Sequence, residues 1–424
     1  MVPAAIFFAL VALFWLAILL LPSQRSAPRF VYDAATDPSA TDGLIARDDV
    51  QPPYHGDPDP WPRVTAIVPG RNEGHLLPRT LGSLCAMDYP ALHVVFVDDQ
   101  STDATPAACR ALEQTYPERL TVLHNTVDPP PGWVGKTWAI HQARAYAESG
   151  DLLLFTDSDL EYHPQCLSQM VRLAQHRRAA IVSLLPTLRY ETLGELLGLL
   201  PATVLITLGM PLRKANDPND PRALIAGGFF LIERETYRSL GGHESVRGQV
   251  IEDVAFGRRA KAAGKRVYTV GTHDLLTARM YEGFRDTYRG LKKNAYAGVN
   301  YHVPQALGVA ALLLAAGALV PLYAASGIAL AVRFGTPAAV ITAVAGVTAV
   351  VAQYLAGRRG ARILGMPPHT GWMMAPGLAF YALVLLASML DHYRGGNIWA
   401  GRAMPRKSVR RLSDSANPLD AERR

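Results

Sequence analysis

The sequence is poor in cysteine and in charged residues. Its 424 residues include only three cysteines, and charged residues make up 18% of the chain. Cys85, Cys109 and Cys166 lie far apart and form no C-x-x-C pair, which disfavours both a disulfide framework and a zinc site. We therefore expect free thiols in a reducing compartment.

The chain also lacks the signatures of several large protein classes. It contains no G-x-G-x-x-G and no G-x-x-x-x-G-K-[ST], which disfavours a dinucleotide dehydrogenase and a P-loop ATPase. The net charge of +6 is modest, and no run of Lys or Arg is interleaved with aromatic residues. Nucleic acid is therefore not an expected partner.

Long apolar runs are abundant instead, in residues 2–21 and again after residue 303. The first run is long enough to cross a bilayer as a helix. No basic residue precedes it, whereas Arg25 and Arg29 follow it, which predicts an uncleaved anchor with the following domain in the cytoplasm. Three further spanning helices are expected, at about 305–332, 336–355 and 372–390.

The charges near these helices do not agree with a simple topology. The loop 357–362 and the tail after residue 402 are both basic, and both are expected on the cytoplasmic side. Three spanning helices cannot satisfy both, so one segment is expected to be re-entrant. A further apolar stretch, 195–212, is broken by Pro201, Gly209 and Pro211, which suggests an interfacial or re-entrant segment.

Between the apolar regions, short apolar runs alternate with helical stretches. Strands are predicted at 64–68, 93–97, 120–123 and 151–155, and helices at 76–86, 104–115 and 136–149. This alternation predicts a parallel α/β sheet. Ligands of such sheets bind at the carboxyl ends of the strands, so the acidic groups at 98–99 and 157–159 should share one crevice.

The chain is thus divided into five segments. We expect a transmembrane anchor at 1–24, a linker at 25–62, an α/β catalytic domain at 63–300, a transmembrane region at 301–392 and a basic tail at 393–424.

Asp157 and Asp159 follow an apolar strand and are separated by one residue. Two carboxylates at this spacing can point into one cleft and bind Mg²⁺ or Mn²⁺, which prefer oxygen ligands and commonly bridge to substrate phosphates. Taken by itself, the Asp-x-Asp pattern could also be a solvated turn that binds no metal.

Two other turns also lie at strand ends. Asp98 and Asp99 could accept hydrogen bonds from the base or ribose of a nucleotide, while Asp103 or Thr102 caps the next helix. The tight turn after the first strand contains Arg71, which could meet a phosphate or a base.

Later residues could complete the site. Lys136 lies at a predicted helix N-terminus, where its charge opposes the helix dipole, so a phosphate partner would account for it. Glu252 and Asp253 open an amphipathic helix, where they could serve as caps or supply a general base. The pair Gly227 and Gly228 allows close backbone approach to a substrate.

Taken in order, six motifs resemble those of family 2 glycosyltransferases. They are Pro-Gly-Arg-Asn-Glu at 69–73, Val-Asp-Asp-Gln-Ser-Thr-Asp at 97–103, Gly-Lys-Thr-Trp-Ala at 135–139, Asp-Ser-Asp at 157–159, Gly-Gly at 227–228 and Glu-Asp at 252–253. The pattern is most similar to the membrane-bound, lipid-modifying branch, such as the hopanoid-associated and the carotenoid or diaponeurosporenoate glycosyltransferases.

The resemblance implies a GT-A fold, a Rossmann-like and mostly parallel sheet, and a metal-dependent, inverting hexosyl transfer. It implies that the metal is held by Asp157 and Asp159 and that the acceptor lies next to Gly227 and Gly228. Catalysis is implied for Asp253, the base, together with Glu252. The residues implied to contact the donor are Pro69, Arg71, Glu73, Asp98, Asp99, Lys136 and Asp157. The expected donor is a nucleotide-sugar, with a UDP-sugar in first place, and the expected acceptor is a membrane lipid.

The sequence leaves two alternatives open. One is a processive polysaccharide synthase, although the chain lacks the Gln-x-x-Arg-Trp motif of those enzymes. The other is a membrane protein that binds a nucleotide-sugar without turnover. The expected location is the cell membrane, crossed several times, with the catalytic domain in the cytoplasm.

Overall fold

The computed structural model describes residues 2–20, 29–30, 50–51, 58–272, 274–363, 366–394, 398–399 and 402–403. Most of the expected linker and basic tail lies outside these residues. The chain forms two compact units. The helical unit comprises Met1–Ala27, Tyr190–Pro211 and Tyr281–Asn397, and the sheet unit comprises Pro28–Arg189, Leu212–Met280 and Ile398–Arg424.

The strands are β1 (Arg29–Phe30), β2 (Val50–Gln51), β3 (Val64–Gly70), β4 (Leu92–Asp99), β5 (Leu120–Asn125), β6 (Leu152–Thr156), β7 (Leu160–Tyr162), β8 (Ile181–Leu185), β9 (Thr187–Leu188), β10 (Phe229–Glu233), β11 (Val267–Thr272), β12 (Leu276–Ala278), β13 (Ile398–Trp399) and β14 (Arg402–Ala403).

The helices are α1 (Val2–Leu20), α2 (Leu77–Cys85), α3 (Thr105–Thr115), α4 (Gly135–Gln142), α5 (Cys166–Arg177), α6 (Leu193–Gly209), α7 (Leu212–Asn216), α8 (Arg234–Ser239), α9 (Glu252–Ala262), α10 (Gly283–Gly298), α11 (Val303–Leu313), α12 (Val320–Phe334), α13 (Pro337–Ile363) and α14 (Met374–Arg394).

The main sheet of the sheet unit has the order β2-β1-β11-β8-β10-β6-β3-β4-β5. Only β10 runs antiparallel to its neighbours, β6 and β8. The predicted mostly parallel α/β sheet is therefore confirmed. Side chains alternate between its two faces: Ala66 and Val68 belong to one buried core cluster and Ile67 to the other. Because helices cover both faces, these strands are apolar throughout instead of alternating with polar residues.

The predicted elements of the sheet unit occur close to their expected positions. The helix predicted at 136–149 is divided, since α4 ends at Gln142 and a 3₁₀ helix, Ala143–Glu148, continues it. Cys85, Cys109 and Cys166 are free and buried, as expected for thiols that pair with nothing.

In the helical unit, three helices of the described chain are long and apolar enough to cross a membrane: α1, Pro337–Arg362 and Pro368–Arg394. A fourth candidate is the bent pair Val303–Ala318 and Val320–Phe334, whose axes differ by 47°. Counted as one span, the pair gives the predicted pattern of one N-terminal and three C-terminal segments.

The bend has an identifiable cause. Pro321 has no N–H, so the Gly317 carbonyl oxygen loses its helical partner. Gln353 Nε2 donates to that oxygen at 2.8 Å, and Trp15 Nε1 donates to the Ala316 oxygen at 2.5 Å. Side chains of α13 and α1 thus satisfy backbone groups that would be costly to leave unpaired in lipid.

The apolar stretch predicted to be broken forms one helix, α6, which runs through Pro201 and ends at Gly209. Pro201 leaves the Leu197 carbonyl oxygen without its helical donor. A Cβ on Gly377 would lie 2.8 Å from that oxygen, so only a glycine lets α14 approach α6 here.

Candidate active site

The carboxyl ends of β3, β4 and β5 meet at one edge of the sheet. Asp98 is in register with both Gly70 and His124, and Asp99 is in register with Asn125. Each carboxylate contacts its neighbour on β5: Asp98 Oδ2 lies 3.1 Å from His124 Nδ1, and Asn125 Nδ2 donates to Asp99 Oδ1 at 2.7 Å. Both aspartates are buried, and these contacts with β5 hold their side chains in place.

Residues 69–73 end β3 and begin the next turn, and they are hydrogen-bonded to the end of β4 and the start of α3. Arg71 Nη1 donates to the Asp99 carbonyl oxygen at 2.8 Å. The Glu73 amide donates to Thr105 Oγ1, also at 2.8 Å. The predicted donor residues at 69–73 and 98–99 therefore belong to one connected edge of the sheet.

The helix start after this loop differs by one residue from the prediction. Ala104, not Asp103 or Thr102, is in the N-cap position of α3. Asp103 nevertheless accepts hydrogen bonds from the first turn of the helix, from the Thr105 amide at 2.9 Å. It also accepts from the Gly74 amide at 3.1 Å, which joins the two loops.

Lys136 lies at the centre of a group of carboxylates. Its Nζ is 2.6 Å from Asp157 Oδ1 and 2.8 Å from Glu252 Oε1. Helix α4 presents the lysine from its first turn, where the helix dipole does not stabilise a cation. We expected a phosphate to account for this charge, and in the structure two carboxylates contact it.

Gly227 connects the lysine to the opening of α9. Its amide donates to Asp253 Oδ2 at 2.7 Å. A Cβ at this position would lie 3.0 Å from the same oxygen and 3.1 Å from Lys136 Nζ. A Cβ on Gly228 would lie 4.0 Å from Asp157 Oδ2. The residues predicted as catalytic and acceptor-binding thus converge with Lys136 and Asp157.

The site concentrates negative charge in a partly dehydrated setting. Burial acts to lower the pKa of Lys136, but Asp157 and Glu252 outweigh it and hold that pKa well above its usual value. Burial, reinforced by the charge of Asp157, raises the pKa of Asp159 to about 7. Burial and the charge of Glu252 likewise raise the pKa of Asp253 to about 7.

The carboxylates of this site could bind a divalent cation, but the protein supplies only a few of the ligands. Among the described residues, no group of three or more His, Cys, Asp or Glu side chains is arranged to hold a metal. Asp157 and Asp159 offer two carboxylates. Mg²⁺ is commonly bound by one or two carboxylates, with water and substrate phosphates completing its shell. The donor set therefore fits a cation that is shared with a phosphorylated substrate.

Several residues of this site were not predicted. His124 and Asn125 end β5 just as Asp98 and Asp99 end β4, so the rule about carboxyl ends of strands would have found them. Thr137 Oγ1 and the Val134 amide contact the Arg247 carbonyl oxygen at 2.9 and 2.8 Å. These contacts tie the lysine helix to the loop before α9, and no sequence pattern indicates them.

The segment that leads to Gly227 has its own anchor. Lys261, which is buried, donates from Nζ to the carbonyl oxygens of Asp217 at 2.8 Å, Asp220 at 3.0 Å and Arg222 at 2.7 Å. Because Lys261 and Asp253 share α9, one helix supports both the carboxylate and the backbone segment that faces it.

Residues 65–240 match the model of Glycosyl transferase family 2. This stretch of the chain is therefore similar to the family 2 glycosyltransferases. The match includes Asp98, Lys136, Asp157 and Gly227, whereas Asp253 lies beyond its end. The family resemblance of the motifs is thereby confirmed.

Similar proteins include the 4,4'-diaponeurosporenoate glycosyltransferases of two staphylococci. The protein of Staphylococcus haemolyticus is 24% identical over 249 residues, which are 57% of this chain and 63% of that protein. The protein of Staphylococcus aureus strain MRSA252 is 25% identical over 259 residues, 59% of this chain and 65% of that protein. The matches therefore span less than two thirds of these relatives.

Among solved structures, the mannosyltransferase PcManGT from Pyrobaculum calidifontis, in complex with GDP-Man and Mn²⁺, is similar at 21% identity and a TM-score of 0.44. That alignment covers 92% of this chain and 94% of the mannosyltransferase.

Proposed function

We propose that this protein is an inverting glycosyltransferase that moves a single sugar from a nucleotide-sugar to a membrane lipid at the cytoplasmic surface of the cell membrane. The observation that carries the proposal is the convergence of Asp157, Glu252 and Asp253 around Lys136 and Gly227 at the carboxyl edge of the sheet.

The donor would lie along the edge formed by the ends of β3, β4 and β6. Asp98 or Asp99 would accept from the nucleoside, for which a UDP group is our first expectation, and the turn containing Pro69, Arg71 and Glu73 would border it. Carboxylates with lone pairs left over after their protein contacts can still accept from a ribose or a base.

Lys136 and Asp157 would face the diphosphate. Asp157 and Asp159 would hold a divalent metal, Mg²⁺ or Mn²⁺, which stabilises negative charge on the departing diphosphate when it is bound. Lys136 supplies a cation from the chain itself, and an ammonium at a helix N-terminus adds to the attraction for an anion. The leaving group would therefore be stabilised from two sides.

On the acceptor side, Asp253 would remove the proton from the attacking hydroxyl. Its Oδ2 is held by the Gly227 amide at 2.7 Å, which fixes the carboxylate before the acceptor arrives. Glu252 is engaged by Lys136 and is the less available of the two bases. Attack on the sugar opposite the departing diphosphate inverts the anomeric centre.

A lipid acceptor is proposed from two facts. The described chain contains three helices, or four with the bent pair, that are long and apolar enough to cross a membrane. The similar staphylococcal proteins are named for a carotenoid acid, 4,4'-diaponeurosporenoate. A hopanoid, a carotenoid or a similar lipid is the expected acceptor, and a glycolipid the expected product.

The test compares sugar transfer by membranes containing the wild type, Asp157→Ala, Asp253→Asn and, as a matched control, Asp151→Asn. Asp151 precedes β6, at the end opposite Asp157, and forms an exposed ion pair with Arg63 at 3.3 Å. Labelled UDP-sugars are supplied, and lipid extracts are analysed by mass spectrometry.

We expect a lipid that carries one added sugar with the wild type and the control, and loss of at least about 100-fold with the other two. Full transfer by Asp253→Asn or Asp157→Ala would refute the proposal. A polymeric product would favour the processive alternative.

A further inference from the structure

The contacts of Lys136 bear on how the site takes up its substrate, and the inference rests on the proposed function. The ammonium is 2.6 Å from Asp157 Oδ1, and both side chains are half-buried. A second contact, to Glu252 at 2.8 Å, holds the lysine in place. The carboxylate proposed to hold a metal is therefore already engaged by a cation of the chain itself.

Binding of a divalent cation at Asp157 must depend on the position of the Lys136 ammonium. Mg²⁺ binds carboxylate oxygen at about 2.1 Å. An ion on the oxygen that Lys136 contacts would thus lie no more than roughly 5 Å from Nζ. Two cations at that separation repel each other strongly in a partly buried site.

Without a substrate, the Lys136 ammonium has few alternative positions. A Cβ on Gly227 would lie 3.1 Å from Nζ, so backbone lies close on that side. The other close contacts of the ammonium are carboxylates. If the ammonium moved away from them, the buried Glu252 would lose its counter-ion. A diphosphate would offer the ammonium a replacement anion at the same edge.

We infer that Lys136 is the resident counter-ion of these carboxylates before substrate binds, and that it keeps a divalent cation off Asp157 until a diphosphate draws the ammonium away. Metal and donor then enter together. The few protein ligands available to the metal agree with this order, because an ion held by only two carboxylates depends on substrate oxygens.

The experiment measures Mn²⁺ binding to the purified full-length chain in detergent, without nucleotide, from the electron paramagnetic resonance signal of free Mn²⁺. The variants are Lys136→Gln, Lys136→Met and Lys136→Arg. The matched control is Lys292→Gln, because Lys292 also pairs with a carboxylate, that of Asp391 at 2.5 Å. Far-UV circular dichroism selects the neutral variant that retains the wild-type spectrum.

We expect the neutral variant to bind Mn²⁺ at least about tenfold more tightly than the wild type, which corresponds to about 1.4 kcal/mol. Lys136→Arg and Lys292→Gln should bind as the wild type does. Adding Asp159→Asn to the neutral variant should abolish the gain, which assigns the ion to the aspartate pair. A repeat with UDP should show weaker coupling between UDP and Mn²⁺ in the neutral variant.

Equal or weaker Mn²⁺ binding by the neutral variant would overturn the inference. So would a gain that survives Asp159→Asn, since the ion would then be bound elsewhere. If all variants bind equally while Asp157→Ala still abolishes sugar transfer, the lysine inference fails and the proposed function stands. If Asp157→Ala leaves transfer intact, the proposed function fails whatever the titration shows.

Discussion

Replacing Gly227 by alanine should damage the site far more than replacing Gly228. A Cβ at 227 would lie 3.0 Å from Asp253 Oδ2 and 3.1 Å from Lys136 Nζ, both closer than ordinary contact. At 228 the nearest atom would be Leu160 Cδ1 at 3.4 Å, which is ordinary van der Waals contact. The two glycines are adjacent, so the pair separates the geometry of the site from a general effect of adding a methyl group.

The expected loss of transfer rate follows from the hydrogen bond between Gly227 and Asp253, which the added methyl group would disturb. The Gly227 amide donates to Asp253 Oδ2 at 2.7 Å. A hydrogen bond to a charged group contributes about 1.5 to 3 kcal/mol. If the added methyl displaces the carboxylate and this bond is lost, transfer should fall roughly 10- to 100-fold, since about 1.4 kcal/mol equals a factor of ten. For Gly228→Ala we expect less than about a threefold change, because no contact there must shift.

The assay measures initial rates of labelled sugar transfer into lipid by each variant, at equal protein and with donor and acceptor varied separately. Thermal unfolding of both variants is measured in parallel. Each Gly→Ala change also reduces the freedom of the unfolded chain, by about 0.4 to 1 kcal/mol at a compatible position. Equal rate losses in the two variants, or a loss for Gly227→Ala explained by unfolding alone, would refute the reasoning.

Three other outcomes are expected. The pKa of Asp253 is raised to about 7, and its ionised form is the proposed base. The transfer rate should therefore fall about tenfold per pH unit below 7. A constant rate from pH 5 to pH 8 would contradict this prediction. Lys261→Met should lower the free energy of unfolding by about 2 to 4 kcal/mol, because buried carbonyl oxygens lose their donor. Lys261→Arg should recover part of this loss. An unchanged chemical denaturation curve for Lys261→Met would contradict the role of Lys261 as an anchor. Gln353→Leu should reduce thermal stability in detergent by about 1 kcal/mol, since the Gly317 oxygen beside Pro321 loses its donor, and an unchanged melting temperature would speak against it.

Most of the sheet unit could be predicted from local pattern. The four predicted strands all occur, because apolar runs of this length between helical stretches are typical of a parallel sheet covered on both faces. Asp98, at the end of β4, and Asp157, directly after β6, could be placed at one edge because parallel strands end on the same side. Strand β10 was not predicted, since nothing local marks an apolar run as antiparallel.

The partner of Lys136 could not be predicted in this way. The helix dipole indicated that the ammonium needs an anion, but Glu252 lies 116 positions further along the chain. Only the packing of α9 beside Gly227 brings that carboxylate to within 2.8 Å. The same holds for Gln353 and Gly317, whose contact depends on how two helices pack. For Lys136 the sequence indicates the type of partner, an anion, whereas the identity of that partner depends on tertiary structure.

The position of Lys136 also links the two halves of the proposed reaction. Its ammonium contacts Asp157, on the leaving-group side, and Glu252, next to the proposed base. Its charge acts to lower the pKa of Asp253, against the larger effects of burial and of Glu252. If a diphosphate draws the ammonium away, Asp253 loses part of that effect and its affinity for a proton rises. The movement of one side chain would therefore couple the leaving-group side of the site to the proposed base.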